Sequence, residues 1–377
     1  MFFKNSMSLS YVRRSIFKIL KRNKWIFYAF EWLKWHKEID YQKQMNDASL
    51  LKPKEQIKRE EKLVRKYWRI GTFHYYRYGL QYKQLEDEQL LDYVPTYYFH
   101  KNIENNHKGI DTIKYGDKLS QAILFEERDI PTAKVIAVVR NGVCVDLRGE
   151  KSINLIQLIE DKLYNETHKL FFKPSGNCGG AGILVLKKIN GHLIANGENI
   201  ANIEAFLKQL STHYTYIVEE NIIQSTQLSQ INPSSVNTLR VVVQNINDEM
   251  QIKTCILRMG RQGKEVDNSA QGGISINVDL NSGRFAQSAT AEHGAGTIPQ
   301  HPDTKYVFNG NGINDWDNVK SQIESIANKL SDFKDIALDI AITKDQVILV
   351  EFNFRYGVEH QQCVVGGVRQ ILNIKNY

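Results

Sequence analysis

The chain lacks most of the features that would assign it to a class at once. No apolar run among its 377 residues approaches the ~20 residues a membrane-spanning helix needs. No charged segment, apolar stretch and cleavage site follow one another at the start, so a secretory leader is not expected. Prolines number only 7 and cysteines only 4. Cys144, Cys178, Cys255 and Cys363 stand far apart, without CxxC or zinc-ligand spacing, which argues against a disulfide framework and a structural zinc. Reduced thiols in the cytoplasm fit best. Charge of one sign is not extreme either. The formal net charge of +7 is a modest bias toward anionic partners, among them ATP, membranes and acidic glycans. No module that reads nucleic acid accompanies it, so nucleic acid is not an expected partner. What remains is ordinary: 42% hydrophobic and 24% charged residues, enough chain for two or three structural units.

Positive charge gathers near the N-terminus. From Tyr11 to Trp35 a helical period places Val12, Ile16, Ile19, Leu20, Ile26, Phe27, Phe30 and Leu33 on one face. Arg13, Arg14, Lys18, Lys21, Arg22 and Lys24 fall on the other, with Trp25, Tyr28 and Trp32 on that basic side. Such a helix either packs on the domain with a solvated basic face or lies on an anionic membrane surface. Residues 40–70 are rich in Lys and Glu and read as exposed helix, whereas Tyr67–His100 is dense in aromatics, as in a packed helical subdomain. From about Gly109 the texture changes to short β-branched runs between Gly, Asn and Asp turns. Strands are expected at 133–139, 170–174, 182–188, 214–220, 238–244, 251–260, 336–342 and 346–353, with helices at 120–128 and 318–330. That order predicts an α+β fold with largely antiparallel sheets.

Three blocks carry chemistry. In ALDIAITKDQVILVEFNFRYG a tight turn joins two strands, and Glu351 and Asn353 share a face because side chains alternate with period two. Asp339 can lie beside them across the ladder. Two carboxylates and an amide oxygen make a hard-oxygen site suited to magnesium. Asp339 also sits within the apolar run IALDIAI, where an unpaired charge would be costly. The second block, FFKPSGNCGGAGI, is a strand delivering Lys173, then a loop with Gly176, Gly179, Gly180 and Gly182. Its backbone N–H groups can surround phosphate oxygens, with Lys173 as a mobile cation. It fits neither the Walker pattern nor the dinucleotide fingerprint. The third block holds Arg240 and Arg258 in apolar strands, where an arginine normally has an anionic partner, then Asp267, Asn268 and the pair Gly272–Gly273.

Together these blocks resemble the ATP-grasp superfamily. The resemblance implies that the Lys-Pro-glycine loop covers the nucleotide phosphates and that Asp339, Glu351 and Asn353 hold two magnesium ions, or manganese in their place. Lys118 in GDKLSQAIL is similar to the superfamily lysine that also reaches the phosphates. YIVEENI stands at the hinge, where Glu219 or Glu220, Asn221 and Ile222 would receive adenine and ribose. NSAQGG, with Asn268, is similar to the loop of glutamate-adding ligases, and Arg240 and Arg258 to their substrate-side arginines. In SVNTLR, LRMGR, VDNSAQGG, HPDT and LDIAI, taken in order, the chain is most like the sugar-transfer-associated ATP-grasp proteins. The implied role is ATP-dependent joining of a carboxylate to an amine or hydroxyl through an acyl phosphate, in exopolysaccharide or surface-glycan synthesis. A small-molecule kinase and a non-catalytic nucleotide-binding scaffold are the competing readings.

The match has departures. Leu338 replaces the tryptophan usual before the metal aspartate, and Ala337 replaces an arginine two residues before it. Arg240 or Arg355 would have to make the phosphate contact instead. EFNFRYGVEH is similar to a stretch of biotin-dependent carboxylases, a shared superfamily inheritance. The expected organisation is a basic helical region over 1–66, an aromatic lead-in over 67–110, and ATP-grasp subdomains over 111–220 and 221–377. With no nucleotide-fold domain ahead of the grasp region, acceptor recognition falls to the helical N-terminal part.

Overall fold

The computed structural model describes residues 23–164, 168–176, 182–210, 214–265, 267, 272–291 and 296–376, apart from the side chain of Trp35. The chain divides into two compact units. One combines 1–106 with 290–297 and 357–377, and the other holds 107–289 and 298–356.

The larger unit is built on two antiparallel sheets. Seven strands run in the order β2-β1-β7-β3-β4-β5-β6. They are β1 (Val135–Arg140), β2 (Val143–Val145), β3 (Lys169–Pro174), β4 (Leu184–Ile189), β5 (His192–Ala195), β6 (Glu198–Asn199) and β7 (Tyr216–Glu220). Five more run in the order β10-β9-β8-β11-β12. These are β8 (Thr238–Ile246), β9 (Glu249–Met259), β10 (Ile274–Asn277), β11 (Asp335–Ile342) and β12 (Val347–Asn353). All eight expected strands are present; β2, β5, β6 and β10 are additional, and all are four residues or shorter. The expected helices appear as Lys118–Glu127 and Trp316–Asn328. The seven-stranded sheet packs one face on the helices Leu155–Lys162 and Ile203–Leu210, burying Leu170, Phe172, Leu186, Val218, Ile159 and Leu207 in one cluster. In β3 alternate residues Leu170 and Phe172 go into that core, which turns Lys169, Phe171 and Lys173 to the opposite face.

The smaller unit is helical, with Lys24–Met45, Lys54–Trp68, Thr96–Asn106 and Val358–Val365 as its longer helices. Its aromatic stretch forms core: Trp68, Tyr75, Tyr78, Tyr98 and Phe99 are buried. Two expectations need correction here. The segment around residues 40–70 is not simply exposed, because Glu60, Val64 and Trp68 are buried along one side of their helix. Lys52 and Glu60 form an ion pair with no side-chain exposure. The N-terminal helix begins its described course at Lys24 and runs ten residues past Trp35; residues 11–22 lie outside the described part. Its buried side differs from the apolar face expected. Leu33 is 62% exposed, whereas Phe27, Glu38 and Gln42 are buried. The helix is oriented by Arg77, whose guanidinium takes Glu38 on Nε at 2.6 Å and Glu31 on Nη1 at 3.0 Å. A buried polar network overrides hydrophobic periodicity here. Among the described residues no helix is long and apolar enough to cross a membrane.

Candidate functional site

Lys173 and Glu219 meet on the face of the seven-stranded sheet that turns away from its helices. Lys173 stands opposite Ile217 on β7, and Glu219, two residues on, lies diagonal to it. The lysine Nζ is 2.5 Å from Glu219 Oε2. Adjacent residues of a strand point to opposite faces, so the two candidate hinge carboxylates are separated. Glu219 is buried on the pocket side, while Glu220 reaches Lys162 at 2.7 Å. Asn221 continues the ladder: its N–H donates to the Lys169 carbonyl, and its side-chain oxygen accepts from Lys169 N. Ile222 follows, half-buried. Gly176 closes the described part of the loop after β3, and Gly182 resumes it at φ +78°. Gly179, Gly180 and Asn268 lie outside the described residues.

Lys118 arrives from a helix start rather than a strand. Asp117 caps the helix by accepting from Ser120 N at 3.0 Å, and Lys118 N donates to the Ser175 carbonyl at 3.0 Å. That tie fixes the lysine beside the beginning of the glycine loop. One turn on, buried Gln121 clasps the β12 backbone. Its amide donates to Phe352 O at 2.8 Å and accepts from Phe352 N at 3.1 Å. The helix is thereby pinned so that Lys118 Nζ reaches Glu351 Oε2 at 2.7 Å. Burial pushes the Glu351 carboxyl up, but Lys118 and the Asn353 amide outweigh it and hold the group down at about 2. Sequence reading missed Gln121; a lone polar residue inside an apolar helix was the available signal. These groups surround a pocket with about 320 Å³ of empty space, walled by Lys118, Lys173, Glu219, Glu351, Val135 and Ile217, among others.

Around Glu351 the five-stranded sheet presents a charged face. Asp339 lies directly opposite Glu351 on one side and Arg240 on the other, and Ala337 stands opposite Asn353. A register shift after Asp339 leaves Val350 as the extra residue on β12 and re-aims the strand at the charged cluster. Arg240 grips Asp339 with two parallel hydrogen bonds, from Nε to Oδ1 and from Nη2 to Oδ2. Arg258 Nη1 reaches the same carboxylate at 3.2 Å and its Nη2 reaches Asp267 at 3.1 Å. Asp267 in turn accepts from the Thr238 hydroxyl and backbone N–H. Burial works against the Arg258 charge, yet Asp267 and Asp339 raise its pKa overall; burial raises that of Asp267, against the pull of Arg258. Asn353 Nδ2 donates to Glu351 Oε1 at 3.2 Å. The buried charge of Asp339 is thus matched by two guanidinium groups. Arg355 is exposed just past β12 and does not line the pocket.

Against known proteins, the model of the sugar-transfer associated ATP-grasp family matches residues 100–374. The chain belongs to this family. Its α+β architecture is the ATP-grasp fold, joined to an N-terminal helical region. In this family member the two positions that depart from the superfamily pattern, Ala337 and Leu338, are both fully buried in β11. Among solved structures it is similar to D-alanyl-alanine synthetase A from Vibrio cholerae at 11% identity and TM-score 0.36, covering 69% of this chain and 60% of that one. It is similar to D-alanine-D-alanine ligase from Helicobacter pylori at 12% identity and TM-score 0.37, covering 70% and 58%. An N5-carboxyaminoimidazole synthase from Aspergillus clavatus, in complex with ADP and 5-aminoimidazole ribonucleotide, matches at 11% identity and TM-score 0.37, covering 78% and 64%. The chain thus spans less than two thirds of the length of these structures. No curated protein matches it.

Proposed function

We propose that the protein is an ATP-dependent carboxylate–amine or carboxylate–hydroxyl ligase that works through an acyl phosphate in surface-glycan synthesis on the cytoplasmic side. The observation that carries this is the convergence of Lys118, Lys173, Glu219 and Glu351 on one pocket, with Arg240, Arg258 and Asp339 on the adjoining sheet face. In this reading residues 111–220 and 221–377 are the two subdomains that grip ATP. Lys118, Lys173 and the loop of Gly176, Gly179, Gly180 and Gly182 take the phosphates. Glu219 takes the ribose or adenine edge, and Asn221 and Ile222 supply hinge backbone. Glu220 fits that role poorly, since it is turned to Lys162 on the other face. Arg240 and Arg258, with Asn268, take the donor carboxylate, and Arg355 serves outside the pocket. The described cysteines Cys144, Cys255 and Cys363 are free thiols, which agrees with a cytoplasmic setting. For the N-terminal helix, buried Phe27 and the hydrogen bond from Phe73 N to the Tyr28 hydroxyl favour packing over a membrane surface.

The donor set suits magnesium. Asp339 and Glu351 are two carboxylates facing each other on neighbouring strands, an arrangement that needs cationic charge, with the Asn353 amide alongside. In this structure Lys118, Arg240 and Arg258 supply that charge. Asp339, Glu351 and Asn353 would hold the metal, one ion or two, which when bound neutralises phosphate charge and polarises the phosphoryl group.

The chain's own residues then act by position and charge. A carboxylate oxygen of the donor attacks the γ-phosphorus, the bond to the bridging oxygen breaks, and ADP leaves. Lys173 and Lys118 balance the charge on the transferring group, and Arg240 and Arg258 hold the attacking carboxylate. An amine nitrogen or hydroxyl oxygen next attacks the acyl carbon, phosphate departs, and the nucleophile's proton is released. With the correct substrate pair, ADP and inorganic phosphate are expected in equal amounts, with a phosphorus-free product. A stable phosphorylated product with no free phosphate would overturn the ligase reading in favour of a kinase.

A further inference from the structure

We propose that the helical unit carries a second small-molecule site, a pocket for an organic ammonium ion that keeps at least one N–H. The pocket holds about 290 Å³ of empty space and lies wholly within this unit. Its walls are built by close approach. Gly71 lets the Tyr28 ring lie against the backbone, where an added Cβ would come within 2.2 Å of Tyr28 Cζ. Phe73 N then donates to the Tyr28 hydroxyl at 3.2 Å. Two edge-to-face pairs result, Tyr28 with Phe73 at 6.4 Å between centroids and Phe27 with Tyr97 at 5.6 Å. All four rings line the pocket. Aromatic faces carry negative potential and attract a cation held between them.

The polar part of the lining presents acceptors. Arg77, the pocket's guanidinium, is turned onto carboxylates: Glu38 through Nε at 2.6 Å and Nη2 at 3.2 Å, Glu31 at 3.0 Å and Glu359 at 3.4 Å. Glu31 itself lines the pocket, as does Thr96, whose hydroxyl donates to Glu359. The deciding group is His74. It lines the pocket at 5% exposure, its ring is hydrogen-bonded to the Gly71 backbone, and its Nε2 has no hydrogen-bond partner among the described residues. Burial holds the imidazole neutral, with its pKa lowered to about 3 despite the Gly71 bond. A buried neutral nitrogen without a partner calls for a donor. A carboxylate and aromatic rings beside it call for positive charge. An ammonium group with an N–H satisfies both; an anion or a fully alkylated ammonium does not.

Titration of the full-length protein with ethanolamine, and separately with choline, tests this by calorimetry at about pH 7.5, where His74 is neutral. Ethanolamine should bind about tenfold or more tightly than choline, which has the same charge without an N–H. E31Q should weaken ethanolamine about tenfold. H74F should erase the preference over choline. Because His74 is buried and H74F can fail to fold, Y97L, which removes a half-buried wall of the cage, gives a second reading through weaker binding of both probes. Failure of ethanolamine to bind the wild-type protein, equal affinity for choline, or unchanged affinity in both E31Q and Y97L overturns the proposal.

Discussion

Lys52 and Lys118 are each paired with a glutamate at hydrogen-bonding distance, yet the two pairs sit in different physical settings. Lys52 reaches Glu60 at 2.8 Å in the helical unit, where both side chains are fully buried. Glu60 also accepts from the Tyr75 hydroxyl at 2.6 Å and from Gln56 at 2.9 Å, so its oxygens are occupied by fixed partners. Lys118 reaches Glu351 at 2.7 Å on the wall of a pocket, with 15% and 26% of the two side chains still exposed. Its neighbours are more charges: Arg240, Arg258 and Asp339. A closed, saturated pair can only hold structure together. An open pair in a field of mobile cations can exchange partners with a ligand.

Mutating each pair separates these roles. The largest effect should come from the open one: Glu351→Ala, and likewise Asn353→Ala, should lower ATP turnover by about 10²-fold or more while thermal unfolding shifts little. Turnover within a fewfold of wild type in both variants would remove these residues from the site. Glu60→Ala should do the reverse. It strands a buried ammonium and should cost about 3–5 kcal/mol of stability in urea unfolding, with turnover per folded molecule unchanged.

Acid should also act on the two units in a fixed order. His74 has a folded pKa near 3, below its unfolded value of about 6.5. The unfolded chain therefore binds the extra proton first, and the stability due to a neutral buried His74 is full above about pH 6.5 and erodes toward pH 3, by roughly 1.4 kcal/mol per unit. Glu351, held at about 2, contributes stability that is full above its unfolded value of about 4.5 and is lost only as pH falls through 2. Urea midpoints should thus begin to fall at mildly acidic pH, and H74F should flatten that slope. Smaller still is the effect expected of Arg240→Lys. It keeps the charge beside Asp339 but loses the two-point grip, so turnover should fall about tenfold with little change in urea midpoint.

The sheets were legible because their strands are long, β-branched and set off by turns, as in β8, β9, β11 and β12. The short strands β2, β5, β6 and β10 hold too few residues to show a period. The pairing of Asp339 with Glu351 followed from the spacing of the hairpin, but the pairing of Asp339 with Arg240 did not, since the two residues lie 99 positions apart. Which of Glu219 and Glu220 faces the pocket depended on strand parity relative to a core that only the fold defines. The helix beginning at Lys24 misled for another reason: its buried side carries Glu38 and Gln42, which periodicity of apolar residues cannot anticipate.

The central claim is that the open pairs form a nucleotide site, and calorimetric titration of ATP with magnesium tests it most directly. The wild-type protein should bind, and the double variant Lys118→Met, Lys173→Met should lose about 10²-fold or more in affinity while its urea midpoint stays near that of wild type. Equal affinity in the two proteins would contradict the account.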